Sequence, residues 1–198
     1  MWIYNLGEQF KYISNLYSEK TALIIEDTKI TYKELDLSSN KFANFLIKQS
    51  IQKQDVINIS SHKCFETFSL IVACWKLGII YSIIDRDSPQ DRLIQIISVC
   101  SPSLIIGDEV FQKKLKDINI CSCFRFNEIK KASEQSANAI DSKGLSGDLI
   151  SYIMFTSGST GTPSGVAVSH KSLLEFSKWA KDEYKISPID TFSGLNSL

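Results

Sequence analysis

The chain has 198 residues, 43% of them hydrophobic, and its 22 Lys+Arg balance 22 Asp+Glu, so the formal net charge at pH 7 is zero. A balanced surface offers neither the basic stripe that holds nucleic acid nor the basic face that holds an anionic membrane. The apolar content supports one sizeable core, and no apolar run approaches the roughly 20 residues of a membrane helix, so nucleic-acid and membrane partners are excluded.

The start, Met-Trp-Ile-Tyr-Asn-Leu-Gly-Glu, has no basic flank and no cleavable apolar segment, which argues against secretion. Five cysteines (Cys64, Cys74, Cys100, Cys121, Cys123) form an odd set without Cys-x-x-Cys spacing. They read as reduced structural thiols, and the protein as cytoplasmic. Cys121-Ser-Cys123 could be half of a metal site, but His62 and His170 lie far away in sequence, so reduced thiols are the stronger reading.

The elements alternate along the chain. Ala22 to Ile25 and Lys29 to Tyr32 flank the turn Glu26-Asp27-Thr28. A helix is predicted from about Tyr32 to Gln49, with Thr31 as N-cap and Leu35, Phe42, Phe45 and Leu46 on one apolar stripe. Asp55 to Ser60 reads as a strand, Phe65 to Leu77 as a helix stopped by Gly78, and Ile79 to Ile84 as a strand buried on both faces. Pro89 opens a helix to Val99, where its missing N–H costs nothing. Leu104 to Ile106 is a strand, Glu109 to Leu115 a short helix, and Ile120 to Phe126 a strand. Lys130 to Gly147 lacks periodicity and reads as a surface linker. The strand Ile150 to Phe155, the strand Val166 to Val168 and a helix from about His170 to Tyr184 complete the chain. Such alternation predicts an α/β fold with a mostly parallel sheet.

The stretch between the last two strands carries the chemistry. Thr156, Ser157, Ser159 and Thr160 bring four hydroxyls, while Gly158 and Gly161 let the backbone approach a ligand. Consecutive N–H groups in such a loop form an anion nest suited to a polyphosphate. It is not a Walker loop, because no Gly-Lys-Ser/Thr closes it and a strand follows. A flexible hairpin turn is the alternative reading of the composition alone.

The ordered run from Tyr152 through Thr156-Ser157-Gly158-Ser159-Thr160-Gly161 to Pro163, Gly165 and Val166 closely resembles the signature loop of the adenylate-forming enzymes. That superfamily comprises nonribosomal peptide adenylation domains, acyl-CoA synthetases and luciferases. Two upstream stretches agree in order. One is Thr31 to Leu35 with Ser39-Asn40 and Phe45-Leu46. The other is Trp75-Lys76-Leu77-Gly78 through Tyr81, Asp85 and Pro89 to Arg92, resembling Leu-Lys-Ala-Gly-Ala-Ala-Tyr-Val-Pro-Leu-Asp-Pro-x-x-Pro-x-x-Arg. The chain departs from the family at Ser164, where Lys is usual, and at Arg86, where Pro is usual. Lys171, seven residues after Ser164, is not an assured replacement.

The resemblance implies that residues 1–198 form the N-terminal portion of an AMP-binding adenylation domain whose C-terminal part is absent. It implies ATP with Mg2+, the magnesium ligand lying downstream. It further implies a carboxylate substrate, an amino acid by the Asp85-x-x-x-Pro89-x-x-Arg92 spacing, activated as an acyl-adenylate. The acyl group would pass to the phosphopantetheine thiol of a carrier protein. Residues Thr156 to Gly161 would hold the β- and γ-phosphates, and no catalytic residue is assigned. A fatty-acyl or aryl CoA-ligase fragment, or an inactive remnant or interaction module, are the alternatives.

Other groups are weaker candidates. Ser157 and His170 lack a Gly-x-Ser-x-Gly elbow, which argues against a hydrolase. His170 is expected at a helix start, packing beneath the loop. Asp85-Arg86-Asp87 is expected as a solvated turn, and Tyr81, Trp75 and Trp179 as core residues.

Overall fold

The computed structural model describes residues 3–115, 122–133, 136–156 and 163–194. The elements are α1 (Leu6–Leu16), β1 (Thr21–Ile25), β2 (Thr28–Thr31), α2 (Tyr32–Lys48), β3 (Val56–Ser60), α3 (Phe65–Leu77), β4 (Ile80–Ile84) and α4 (Gln90–Cys100). They continue with β5 (Leu104–Gly107), α5 (Glu109–Leu115), β6 (Ser122–Arg125), α6 (Phe126–Ser133), β7 (Ile150–Thr156), β8 (Ser164–Ser169) and α7 (His170–Glu183).

Local chemistry sets several boundaries. The Thr31 hydroxyl accepts from the Glu34 N–H while the Glu34 carboxylate accepts from the Thr31 N–H, a reciprocal cap that starts α2. Gly78 ends α3 at φ +66°, a left-handed conformation that a side chain would resist. Pro89 stands at the N-cap of α4, so the helix proper begins one residue later than the sequence suggests.

The main sheet has six strands in the order β6-β5-β3-β4-β7-β8. All its pairings are parallel except β7 with β8. Parallel neighbours need crossovers, and the alternation of side chains sends those crossovers to both faces. Ile57, Ile59, Leu104 and Ile106 point to one face, under α2, α3 and α6. Ile84 and Ile105 point to the other, where Leu93, Ile96 and Ile97 of α4 and Phe111 and Leu115 of α5 cover them. The hairpin β1–β2 forms its own small sheet, and Ile30 joins Phe10, Leu35 and Val72 in a satellite cluster.

The two helices on the first face are joined by a buried cation. Lys76 of α3 is 3% exposed, and its Nζ donates to Asp36 Oδ1 (2.7 Å), Ser39 Oγ (2.6 Å) and Asn40 Oδ1 (2.7 Å) on α2. The ring of Phe10 on α1 lies 5.6 Å away, so three helices meet at one ammonium. Burial pushes the ammonium below the usual lysine range, and the hydrogen bond it donates to Asp36 pulls the other way.

Two expectations are corrected, and one element is added. Helix α1 had no counterpart in the sequence reading. The proposed linker from Lys130 is helical at its start, because Phe126 and Ile129, three apart, are buried against α2 and the sheet and wind α6. Trp179 is not a core residue but 51% exposed, on a face of α7 that no described element covers. Tyr81 is buried as expected, and Trp75 is half-buried against both clusters on its side.

Lys76→Ala is expected to destabilise the chain by about 2–3 kcal/mol, since it strands the partly buried Asp36 carboxylate and opens a void. Lys76→Met, which fills the space, should cost less. Urea unfolding of the three proteins checks both statements.

Candidate functional site

The hydroxyl-rich loop issues from the hairpin β7–β8. The two strands pair antiparallel from Ile150↔Ser169 to Thr156↔Ser164, so the loop leaves the ladder at Thr156 and returns at Ser164. Strand β7 is parallel to β4, with Tyr81 opposite Tyr152 and their rings stacked at 5.7 Å and 27°. Thr156 therefore lies at the carboxyl end of the sheet, where α/β folds collect their ligand-binding loops. Thr156 and Ser164 are exposed. Ser157, Gly158, Ser159, Thr160 and Gly161 lie outside the described residues.

The far end of the hairpin is anchored by polar groups. Gln54, in the turn before β3, accepts from the Ile150 N–H at 3.0 Å and donates from Nε2 to Ile150 O and Gly78 O, each at 2.9 Å. His170, the first residue of α7, is fully buried, and its Nδ1 accepts from the Leu6 N–H at 3.2 Å. That acceptor role assigns the ring proton to Nε2, which has no hydrogen-bond partner among the described residues. Asn5 caps α1 and donates to Ser142 O and Leu145 O. Gly147 packs so closely that a Cβ there would sit 2.5 Å from Tyr4 O. Burial without a compensating charge lowers the His170 pKa to about 4.

The expected position of His170 is thus half right. It starts the helix, but at the base of the hairpin, a full strand away from the loop. Lys171 shares that location, its N–H bonded to Gly147 O, and a six-residue strand of roughly 20 Å separates it from the loop. It does not supply the cation missing at Ser164.

The carboxyl edge also carries Asp85, Arg86, His62 and Asp108, from the ends of β4, β3 and β5. Arg86 Nη1 pairs with Asp108 Oδ2 at 2.6 Å and lies 3.4 Å from His62 Nδ1. The expected solvated turn is thus partly tied down. Asp108 is held below the usual carboxylate range: its burial, which opposes this, is outweighed by the Phe111 N–H and the Arg86 guanidinium. Further along, a cleft of about 490 Å³ opens between His62, Cys64, Asp108, Arg125, Glu128 and Lys131. Cys121 lies outside the described residues, and Cys123 is an exposed free thiol. The bonds from Gln54 to Ile150 and from Asn5 to Ser142 and Leu145 gave no sequence signal, because those backbone groups lie about 90 or more residues away.

A doubly wound α/β sheet with a hydroxyl- and glycine-rich sequence between its last two strands, at the carboxyl edge, defines an open α/β class of fold. Within that class, residues 10–195 match the family model of the AMP-binding enzymes, and the chain belongs to that family. It is 30% identical over 193 residues to tyrocidine synthase 2 of Brevibacillus parabrevis, covering 98% of this chain and 5% of that protein. It is 32% identical over 149 residues to the D-alanine–D-alanyl carrier protein ligase of Streptococcus pyogenes serotype M5 (strain Manfredo), covering 75% of this chain and 28% of the ligase. The fold is shared with the AMPPNP-bound form of the nonribosomal peptide synthetase FmoA3, at TM-score 0.86 and 19% identity over 98% of this chain and 20% of that one. The chain thus spans a small part of the proteins it matches.

The buried His170 predicts an acid-sensitive fold. Its pKa is about 6.5 unfolded and about 4 folded, so its stabilising contribution is complete above pH 6.5 and fades as the pH falls toward 4. The full contribution is at most about 3 kcal/mol. His170→Asn keeps an acceptor for Leu6 but does not titrate. Over that window its urea midpoint should fall less than that of the wild-type chain.

Proposed function

We propose that this chain is the N-terminal portion of an adenylation domain and binds the phosphates of ATP through the loop between β7 and β8. The complete domain would activate a carboxylic acid, by this reading an amino acid, as an acyl-adenylate. The acyl group would then pass to the phosphopantetheine thiol of a carrier protein. The observation that carries the reading is the register Thr156↔Ser164, which delivers the hydroxyl-rich loop to the carboxyl edge of a parallel sheet. A cytoplasmic location accords with the free cysteines among the described residues and with the lack there of a helix long and apolar enough to cross a membrane.

The first step is an in-line displacement at the α-phosphate, with pyrophosphate leaving, so the protein's task is to position groups and neutralise charge. Thr156 and the residues after it, Ser157 to Gly161, would donate O–H and N–H bonds to the leaving phosphates. Each charge-assisted bond contributes about 1.5–3 kcal/mol. Magnesium would come with the nucleotide, and its protein ligand would lie in the downstream part of such a domain. The chain offers no identified nucleophile or general base.

The remainder of such a domain has a place to pack. Trp179 meets Phe176 at a tilt and Tyr184 edge-on, with ring centroids 5.7 and 5.9 Å away, yet all three are more than half exposed, as are Ile189 and Phe192. A patch of this kind marks a surface meant to be covered. An inactive remnant is the second reading, favoured by Ser164 where the family carries Lys.

Two measurements test the proposal. The isolated chain should bind ATP or pyrophosphate in calorimetry but show no carboxylate-dependent ATP–pyrophosphate exchange. Thr156→Val should weaken that binding about tenfold, the equivalent of one charge-assisted bond. Absence of any saturable binding removes the phosphate role. Ser164→Lys adds an exposed cation at the loop exit and should tighten ATP up to about fivefold. Unchanged or weaker binding would place the phosphates elsewhere.

A further inference from the structure

The hairpin that carries the loop joins the sheet with little backbone support on its inner side. Among the described residues, β7 pairs with β4 only at Tyr152 and Tyr81. Two residues earlier, where Ile150 enters the sheet, β4 has not yet begun, and the Ile79 N–H is taken by Cys74 O at 3.1 Å. The Ile80 N–H is bonded to Asp55 O, just ahead of β3, at 2.9 Å, and Gly78 O accepts from the Gln54 N–H at 2.8 Å.

The side chain of Gln54 fills that gap. A primary amide has one acceptor and two donors, the complement of a strand peptide with one donor to spare. Oε1 accepts from the Ile150 N–H, and Nε2 donates both to Ile150 O and to Gly78 O. The Ile150 peptide groups are thus satisfied by a side chain on a turn 96 residues earlier in the chain. Gln54 itself adopts φ +68°, a left-handed conformation that a non-glycine residue enters at a cost. Strain of this sort persists where the surroundings over-determine it and a function uses it.

We propose that Gln54 is a positioning residue for the β7–β8 hairpin: its side-chain amide replaces a missing strand peptide and fixes the register in which β7 enters the sheet. Register is the quantity at stake because a slip of one residue exchanges the two faces of a strand. In the observed register Tyr152 stacks on Tyr81 and Phe155 packs with the Ile84 cluster. Four residues on from Tyr81 and from Tyr152 come Asp85 and Thr156, which sets the loop's first hydroxyl level with the end of β4. The consequence for phosphate binding rests on the function proposed above, whereas the register claim does not.

Hydrogen exchange and nuclear Overhauser contacts on the isolated chain test it. Gln54→Leu keeps the volume and removes all three amide bonds. At least a tenfold loss of protection is expected at the amides of Ile150 to Thr156 and of β8, with loss of the Tyr81–Tyr152 ring contacts. The amides of β3 and β5 should stay within about twofold of the wild-type chain. Gln54→Glu keeps the acceptor and loses both donors, so it should give a smaller loss at the same amides, and it serves if the Leu variant does not fold. Gln54→Gly relieves the backbone strain but also lacks the side chain, and should lose the hairpin as the Leu variant does. A uniform loss across all strands, or full hairpin protection in the Gly variant, overturns the proposal. ATP titration of the same variants separates the two readings. Register loss in a chain that never binds ATP leaves the role of Gln54 standing and removes the phosphate reading. Intact register in every variant removes the role of Gln54, whether or not ATP binds.

Discussion

Parallel strands cannot be joined by tight turns, and that constraint organises the whole molecule. Every step from β3 to β7 must travel over a face of the sheet, so both faces are clad in helix and the central strands become continuous apolar runs. Ile57 and Ile59 on β3, Ile84 on β4, and Leu104 and Ile106 on β5 are buried to about 1% exposure or less. The loops that follow the strands are left at one edge, free of packing duty, and there the chemistry accumulates. The constraint ends at β8, which turns back antiparallel and, among the described residues, borders the sheet without a strand on its far side.

Where burial is this complete, polar groups must be placed with care. Lys76 spends its three protons on three side-chain oxygens of α2, converting a buried charge into a link between helices. His170 and Gln54 solve a related problem at the base of the hairpin by serving backbone groups rather than other side chains. In each case the side chain bridges segments far apart in sequence, so its value depends on the fold being complete.

Much of this was legible in the sequence because it is local. The β-branched runs, the Thr31–Glu34 cap and the Gly78 stop each act over a few residues, and the element boundaries followed within one or two positions. Helix α1 escaped because two of its four buried residues, Gly7 and Ser14, are small and carry no hydrophobic signal. Helix α6 escaped because only Phe126 and Ile129 mark its inner face amid polar neighbours. Trp179 was misplaced for a different reason: periodicity reports that a helix has an apolar face, not that anything covers it. The loop was legible as a chemical pattern, whereas its anchors depend on contacts that only the folded chain creates.

The free margin of β8 has a consequence for handling the protein. Its outward N–H and C=O groups are paired with no strand among the described residues, and Val166 on it and Met154 beside it are each about half exposed. Neither a proline nor a lysine blunts Ser164 to Ser169, the devices by which edge strands usually resist their own kind. A strand of another chain could pair with such a margin edge to edge. The net charge, zero at pH 7, supplies no repulsion to oppose such pairing at these six residues.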